Sequence, residues 1–333
     1  MSKVQPSTGI VVIGRNEGER LRACLESLAE LRVPVVYVDS GSTDGSPELA
    51  AAHNVDVVNL DPAIPFSAAR GRNEGYARLR QRNPQVQYIQ FIDGDCKLAP
   101  GWLEIGEISL RNNPDYGAVT GHLQEMEPDA SIYNRMCALE WKSAAGEITD
   151  IGKFGGISMI RANVLDEVGG FNPDLIAGEE PELATRIKEA GYSIHKLDHA
   201  MAYHDAEIST FRQWWTRAVR AGHAIGAWAN LNPGRRDREA LREEFSTWFW
   251  GLLVPATALL LALPTHGMSL LLLLGYPVLA WRMYRYRLSE GDTPEHAMTY
   301  AKYTLIGKFA NVIGLMKYYR DKRRNSFEII EYK

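Results

Sequence analysis

The sequence predicts an α/β chain: a mostly parallel sheet flanked by helices, followed by a C-terminal membrane helical hairpin and a basic amphipathic helix. Three observations carry this reading. Through about the first two hundred residues, short β-branched apolar runs alternate with helix-patterned segments, the signature of a sheet covered on both faces. Two long uncharged apolar runs lie beyond residue 244. The charge also changes sign along the chain. Residues 1–211 hold 19 Lys+Arg against 31 Asp+Glu and residues 212–333 hold 18 against 10, so the net −4 divides into about −12 and +8. The expected domains are 1–232, the α/β part, and 233–333, a membrane-associating helical region.

In chain order, GIVVIG reads as a buried strand and EGERLRACLESLAEL as a helix with Leu21, Cys24, Leu25 and Leu28 on one face. VPVVYVDSGSTDGS is a second strand running into a polar turn, and SPELAAAHN a helix expected to be capped by Ser46. QYIQFIDGDCKLAP is a later strand whose exit carries Asp93 and Asp95. Open sheets of this kind bind ligands beyond the carboxyl ends of their strands. Asn16 and Glu17, the turn Asp39 to Asp44, and Asp93 with Asp95 occupy three such ends. Residues two apart on an extended chain point the same way, so both carboxylates of Asp-Gly-Asp are expected to converge on one point. Their repulsion is relieved by a divalent cation, and hard oxygen ligands suit Mg²⁺ or Mn²⁺. Asp-Gly is also an ordinary turn signal, so the motif gains its weight from the rest of the chain.

The uncharged runs 245–263 and 268–281, the second extending to 286 as a candidate span, are near the lower limit of a membrane span, which takes about 17–25 residues. Arg235, Arg236, Arg238 and Arg242 precede them and Arg282, Arg285 and Arg287 follow, so a hairpin with both ends cytoplasmic fits the positive-inside bias. Residues 299–320 interleave Lys302, Lys308 and Lys317 with apolar side chains, the composition of a helix lying on an anionic membrane surface. Trp214, Trp215 and Trp228 suit either an acceptor or lipid interface, or packing against the sheet. Cys24, Cys96 and Cys137 have no metal-like spacing, and the chain starts without a secretory pattern; both suggest a reducing, cytosolic setting.

Six segments, VVIGRNEGERLRACLESL, VVYVDSGSTDGS, FSAARGRNEG, FIDGDC, GGFNPDLIAGEEPELATRIKEAGY and AYHD, occur in an order that resembles the inverting family 2 glycosyltransferases of GT-A fold. The resemblance spans roughly residues 8–225. It implies that Asp39 contacts the nucleotide base, with Asn16 and Glu17 nearby, that Arg72 lies near the diphosphate, and that Asp93 and Asp95 engage the ribose and the metal. It also implies a catalytic base in the pair Glu179 and Glu180, and His204 as a further metal ligand. Gly14-Arg15 departs from the family's usual proline and aromatic. Glu180 stands where aspartate is usual, which lengthens the arm of the base by one methylene, and Glu179 is the alternative.

These features together give the expected activity: a metal-dependent hexosyl-type glycosyltransferase using Mn²⁺ or Mg²⁺ and a nucleoside diphosphate sugar, UDP-sugar favoured. The acceptor is the hydroxyl of a lipid-linked or polysaccharide glycan at the cytoplasmic face of a membrane, with no nucleic-acid partner. Glu179 and Glu180, which precede Pro181, also suit a helix N-terminus, where a carboxylate gains from the helix dipole. Three rivals remain at this stage. A polyprenyl-phosphate acceptor is already an anion and needs no base, a catalytically silent membrane scaffold would bind nucleotide only, and a nucleotidyltransferase would release pyrophosphate.

Overall fold

The computed structural model describes residues 6–230 and 238–324. The chain forms two compact units, one from its start to Met126 with Trp141–Ala206, the other from Glu127–Glu140 with Glu207 onward. The boundary expected near residue 232, and with it Arg235 and Arg236, lies outside the described residues.

In the first unit the alternation of strand and helix is realised. β1 (Thr8–Gly14), α1 (Glu19–Leu28), β2 (Val35–Asp39), α2 (Ser46–Ala52), β3 (Asp56–Asn59) and α3 (Ala68–Arg82) lead to β4 (Tyr88–Asp93), β5 (Cys96–Leu98), α4 (Trp102–Asn112) and β6 (Tyr116–Glu125). Next in the chain is α5 (Ile132–Glu140), a helix of the second unit. The first unit resumes with β7 (Gly146–Glu147), β8 (Ser158–Arg161), α6 (Ala162–Val168), α7 (Glu179–Glu189) and β9 (Ser193–His204). α1 buries Leu21, Cys24, Leu25 and Leu28, the spacing of a single helical face. α2 starts at Ser46 rather than being capped by it; Asp44 Oδ1 receives the Ser46 amide at 3.1 Å and takes that role.

The sheet runs β3-β2-β1-β4-β8-β6-β9-β5, with β7 on β9. Strands β1 to β4 pair in parallel, and Ile10, Val11 and Val12 of β1 have no exposed surface, as a strand covered on both faces requires. The register places function: Gly14 lies opposite Asp39 and Ile13 opposite Asp93, so three strand exits open at one level. At the other side β9 pairs His204 with Cys96 of β5 and with Glu125 of β6. α3 lies close over the parallel strands because Gly75 has no side chain: a Cβ there would sit 2.4 Å from Val11 Cγ1 and 2.8 Å from Val38 Cγ2.

The second unit contains α8 (Phe211–Asn230), α9 (Arg238–Trp248), a π-helical turn Phe249–Leu253, α10 (Val254–Leu260), a 3₁₀ segment Met268–Leu274, α11 (Gly275–Ser289) and α12 (Pro294–Arg324). α8 and α12 cross with their backbones nearly touching, since a Cβ on Gly314 would meet Val219 O at 1.9 Å and one on Gly222 would meet Asn311 O at 2.0 Å. Trp214 is buried there, 5.1 Å from the Tyr303 ring and 6.1 Å from that of Tyr133, so its role in this unit is packing.

The expected spans 245–263 and 268–286 are not continuous helices, and no described helix is long and apolar enough to cross a membrane. Prolines explain the breaks. Pro255 has no N–H for the carbonyl of Gly251 and Pro277 none for that of Leu273, so the chain adopts a π turn before the first and a 3₁₀ stretch before the second. The helix expected at 299–320 is longer than expected and partly interior. Lys308 is buried against Glu243 at 3.2 Å and Lys317 pairs with Asp321 at 2.9 Å, so two of the three lysines read as membrane-facing are engaged within the protein.

Gly75→Ala tests the α3 seating. Alanine gains up to about 1 kcal/mol in helix propensity, but overlap with Val11 and Val38 costs on the order of 1–3 kcal/mol. A net loss in the denaturant midpoint of unfolding is expected.

Candidate active site

The loop after β2 takes its shape from Asp39. Its carboxylate is buried and accepts from the Tyr37 hydroxyl at 2.9 Å and from the backbone N–H of Gly41 at 2.9 Å and of Ser42 at 2.7 Å. Burial first, and then the Asp39 charge, hold the Tyr37 hydroxyl well above its usual range. Asn16 adopts a left-handed backbone, φ 55°, and ties the β1 exit to this loop: its Oδ1 accepts from Thr43 N at 2.8 Å and its amide donates to Ser42 Oγ at 2.8 Å. Asp44 accepts the Gly18 amide at 2.9 Å. Glu17 leans on the Asp-Gly-Asp turn, with its Cγ 3.2 Å from where a Cβ of Gly94 would stand. The two loops form one floor at the ends of β1, β2 and β4.

Arg72 is placed by α3 and is buried, with its side chain 3 % exposed. Its Nη1 donates to Glu179 Oε1 at 2.8 Å and lies 3.7 Å from Glu180 Oε1, while Nη2 donates to Asp93 Oδ1 at 3.2 Å. The guanidinium also lies over the Phe171 ring, 5.4 Å from its centroid. Gly156 leaves the room it needs, because a Cβ at that position would be 2.0 Å from Nη2. Its neighbour Asn73 fixes the incoming segment, donating to Phe171 O at 2.7 Å and accepting from Phe171 N at 2.8 Å. The motifs around residues 72 and 171 are therefore two halves of one contact. Burial opposes the charge on Arg72, but Asp93, Glu180 and Glu179 outweigh it and strengthen the cation.

α7 begins at Glu179, two residues before Pro181, so both glutamates stand in its first turn behind Gly178 at φ 85°. They differ in environment. Glu179 is held by the hydrogen-bonded Arg72 pair, whereas Glu180 is 22 % exposed and makes only the longer contact. Burial and the neighbouring Glu179 charge, partly offset by Arg72, push the Glu180 carboxyl up to about 7.

Asp93 and Asp95 take different closest partners while staying within reach of one another: burial first, against Arg72, and then the Asp95 charge raise the Asp93 carboxyl. The chain leaves the extended form at Gly94, so strand alternation no longer applies. Asp93 faces Arg72, while Asp95 faces His204, whose Nε2 lies 3.4 Å from Asp95 Oδ2. Asp95, Cys96 and His204 bring ligand atoms within 4.8 Å of one another. Burial and the Asp95 and Asp93 charges hold the Cys96 thiol well above its usual range, which leaves a carboxylate and an imidazole as the donors suited to a hard divalent cation. His204 Nδ1 contacts Glu125 Oε2 at 3.1 Å, and the Glu125 side chain, fully enclosed, also accepts the Ala206 amide at 3.1 Å. This fixes the ring with Nε2 toward Asp95, as a carboxylate on the other ring nitrogen does for metal-binding histidines. The sequence reading missed Glu125; only its place at the end of a strand, opposite a motif histidine, could have signalled it.

Residues 9–169 match the family model described as glycosyl transferase family 2. The chain is 26 % identical over 263 residues to glycosyltransferase AglE of Haloferax volcanii, covering 75 % of this chain and 81 % of that one. It is 25 % identical over 236 residues to the pre-mycofactocin glycosyltransferase of Mycobacterium tuberculosis, with 68 % of this chain covered, and spans about half of that protein's length, 48 %. It is also 25 % identical over 222 residues to the O-antigen chain rhamnosyltransferase RfbN of Salmonella typhimurium, covering 62 % and 68 %. Among solved structures, mannosyltransferase PcManGT from Pyrobaculum calidifontis, in complex with GDP-Man and Mn²⁺, superposes with a TM-score of 0.58 at 18 % identity over 96 % of this chain and 89 % of that one. S. aureus TarS 1–349 gives 0.52 at 15 % identity over 97 % and 93 %. The likeness at this identity is one of fold, a GT-A-like sheet.

The two glutamates should separate in stability. Removing one partner of a buried pair costs about 3–5 kcal/mol, so Glu179→Gln should lower the unfolding free energy by about that much. Glu180→Gln, which has no short ion pair to lose and removes a carboxylate whose ionised form the fold disfavours, should not lower it, and should raise it increasingly as pH rises from about 4.5 through 7 in the same denaturant titration.

Proposed function

The chain belongs to glycosyl transferase family 2, and we propose that its first unit moves a sugar, with inversion, from a nucleoside diphosphate sugar to a hydroxyl of a lipid-linked or polysaccharide acceptor. The observation that carries this reading is the contrast between the two adjacent glutamates, one neutralised by Arg72 and one raised to about 7 and partly open. A base whose pKa lies near the working pH combines availability with proton affinity. Glu180 takes the proton of the acceptor hydroxyl as its oxygen attacks the anomeric carbon. The bond to the diphosphate oxygen breaks on the opposite face, and the nucleoside diphosphate leaves.

The loop held by Asp39 and Asn16 receives the nucleotide at the ends of β1 and β2. Arg72 is enclosed among carboxylates, so its contribution is to hold Glu179 and Asp93 in place and to bring positive charge beneath the diphosphate rather than to grip it. Asp95 and His204 would hold a divalent cation, Mn²⁺ or Mg²⁺, with Glu125 orienting the imidazole. When bound, that cation neutralises charge on the diphosphate. The similarity to the Salmonella protein, an O-antigen chain rhamnosyltransferase, supports a glycan acceptor, and the exposed leucines of the C-terminal hairpin support work at a membrane surface.

Donor hydrolysis and transfer to membrane extract, screened with both UDP- and GDP-sugars, test the reading, since release of nucleoside diphosphate is required. Glu180→Gln should retain donor binding and lose roughly 10²–10⁴ in turnover. Near-normal transfer by both Glu180→Gln and Glu179→Gln would favour a phosphate acceptor instead.

Mn²⁺ binding, followed by calorimetry without donor, tests the cation site separately. Asp95→Ala should abolish binding, and Glu125→Gln should weaken it roughly 10–100-fold. Full activity in excess chelator would remove the metal from the reading.

A further inference from the structure

We infer that the tip of the α10–3₁₀ hairpin is a monotopic anchor that enters one leaflet of a lipid bilayer and does not cross it. The apolar surface there is not a stripe. Leu259, Leu260 and Leu261 are exposed in succession on one arm and Leu270, Leu271 and Leu272 on the other, while Leu263 at the tip is 89 % exposed. Successive helical positions point about 100° apart, so three in a row cover most of the circumference of each arm. A second protein surface covers one side of such a finger. Only a fluid apolar phase surrounds it.

The backbone of the turn is compatible with hydrocarbon. The N–H groups of Leu261, Ala262, Thr265, His266, Gly267, Met268 and Leu270 all donate to carbonyls within the hairpin, and that of Ser269 donates to Thr265 Oγ1 at 3.1 Å. Two polar side chains of the turn are paired in the same way: Thr265 Oγ1 donates to Leu261 O at 2.6 Å and Ser269 Oγ to Ala258 O at 2.7 Å, which also ties the arms together, while His266 is exposed at the tip. Inside a bilayer core these groups would otherwise lack partners.

Length decides between inserting and spanning. Gly251 is seated against α12, where a Cβ would lie 2.4 Å from Val312 Cγ2 and 2.5 Å from Lys308 O. The nine residues from there to Leu260 rise roughly 14 Å at about 1.5 Å each, half of a hydrocarbon core about 30 Å thick. At the base of the returning arm stand exposed Trp281, Arg282 and Arg285, with the Arg285 guanidinium 5.5 Å from the Trp281 ring centroid. An aromatic and two cations at that depth suit the headgroup layer, and the cations favour anionic lipid. Arg287, buried on Asp292, takes no part.

Flotation of the full chain with phosphatidylcholine vesicles, and with vesicles that also contain phosphatidylglycerol, tests the inference without reference to sugar transfer. The protein should float with both, more strongly with the anionic set. The triple variant Leu260→Ser/Leu263→Ser/Leu271→Ser changes only exposed positions and should keep its thermal unfolding, yet partition at least tenfold less. A fluorophore on Leu263→Cys, specific because Cys24, Cys96 and Cys137 are buried, should be quenched by nitroxides at the lipid chain ends and be untouched by a quencher trapped inside the vesicles. Failure of the parent to float, equal flotation of the triple variant, loss of a dimer rather than of lipid binding in that variant, or quenching from the vesicle interior would each overturn it.

Discussion

The buried ion pair between Arg72 and Glu179 is the interaction on which the rest of the site depends. A guanidinium with 3 % of its side chain exposed persists only if its charge is answered, and Glu179 and Asp93 answer it from two different parts of the chain through Nη1 and Nη2, while Nε is buried without a hydrogen-bond partner. Through Asp93 the network reaches the exit of β4, and through Glu179 it reaches the first turn of α7. The same cation can satisfy only part of the negative charge around it. Glu180, one residue along, is left with its carboxyl raised by burial and by its neighbour. Two adjacent glutamates in one helical turn thus acquire different chemistry from a single arginine.

Several close approaches serve that arrangement. Gly156 and Gly75 are positions where a Cβ would overlap the arginine or the strands beneath α3. Asn73 uses its amide as a backbone substitute to bring Phe171 under the guanidinium. On the far side of the Asp-Gly-Asp turn, Asp95 belongs to a second cluster in which Glu125 sets the His204 ring. Gly94 is the hinge of this division: it sends Asp93 toward the arginine and Asp95 toward the histidine, one carboxylate to a structural cation and one to a site fitted for an added one.

Much of this was legible in the sequence because local pattern and ordered motifs report strands, helices and their exits. The apolar face of α1 and the parallel strands β1 to β4 follow from residues read in order. Long-range pairing was not legible. Nothing in the segment around Arg72 says that its partners lie at 93 and 179, and Glu125 is one acidic residue among many until β6 and β9 are laid side by side. The different partners of Asp93 and Asp95 were not legible either, because a glycine turn interrupts the strand between them. The C-terminal runs misled for a different reason. Apolar composition measures a preference for lipid, whereas Pro255, Pro277 and the seating of Gly251 on α12 decide the length and continuity of the helices.

The most direct measurement of the central claim is the titration of the carboxyl carbons by NMR on the uniformly glutamate-labelled protein. One glutamate should titrate with a midpoint near 7, and that signal should be absent from Glu180→Gln and move to lower pH in Glu179→Gln, which removes the neighbouring charge that helps to raise it. A Glu180 carboxyl that titrates at the ordinary glutamate value near 4.5 would contradict the division of labour imposed by Arg72.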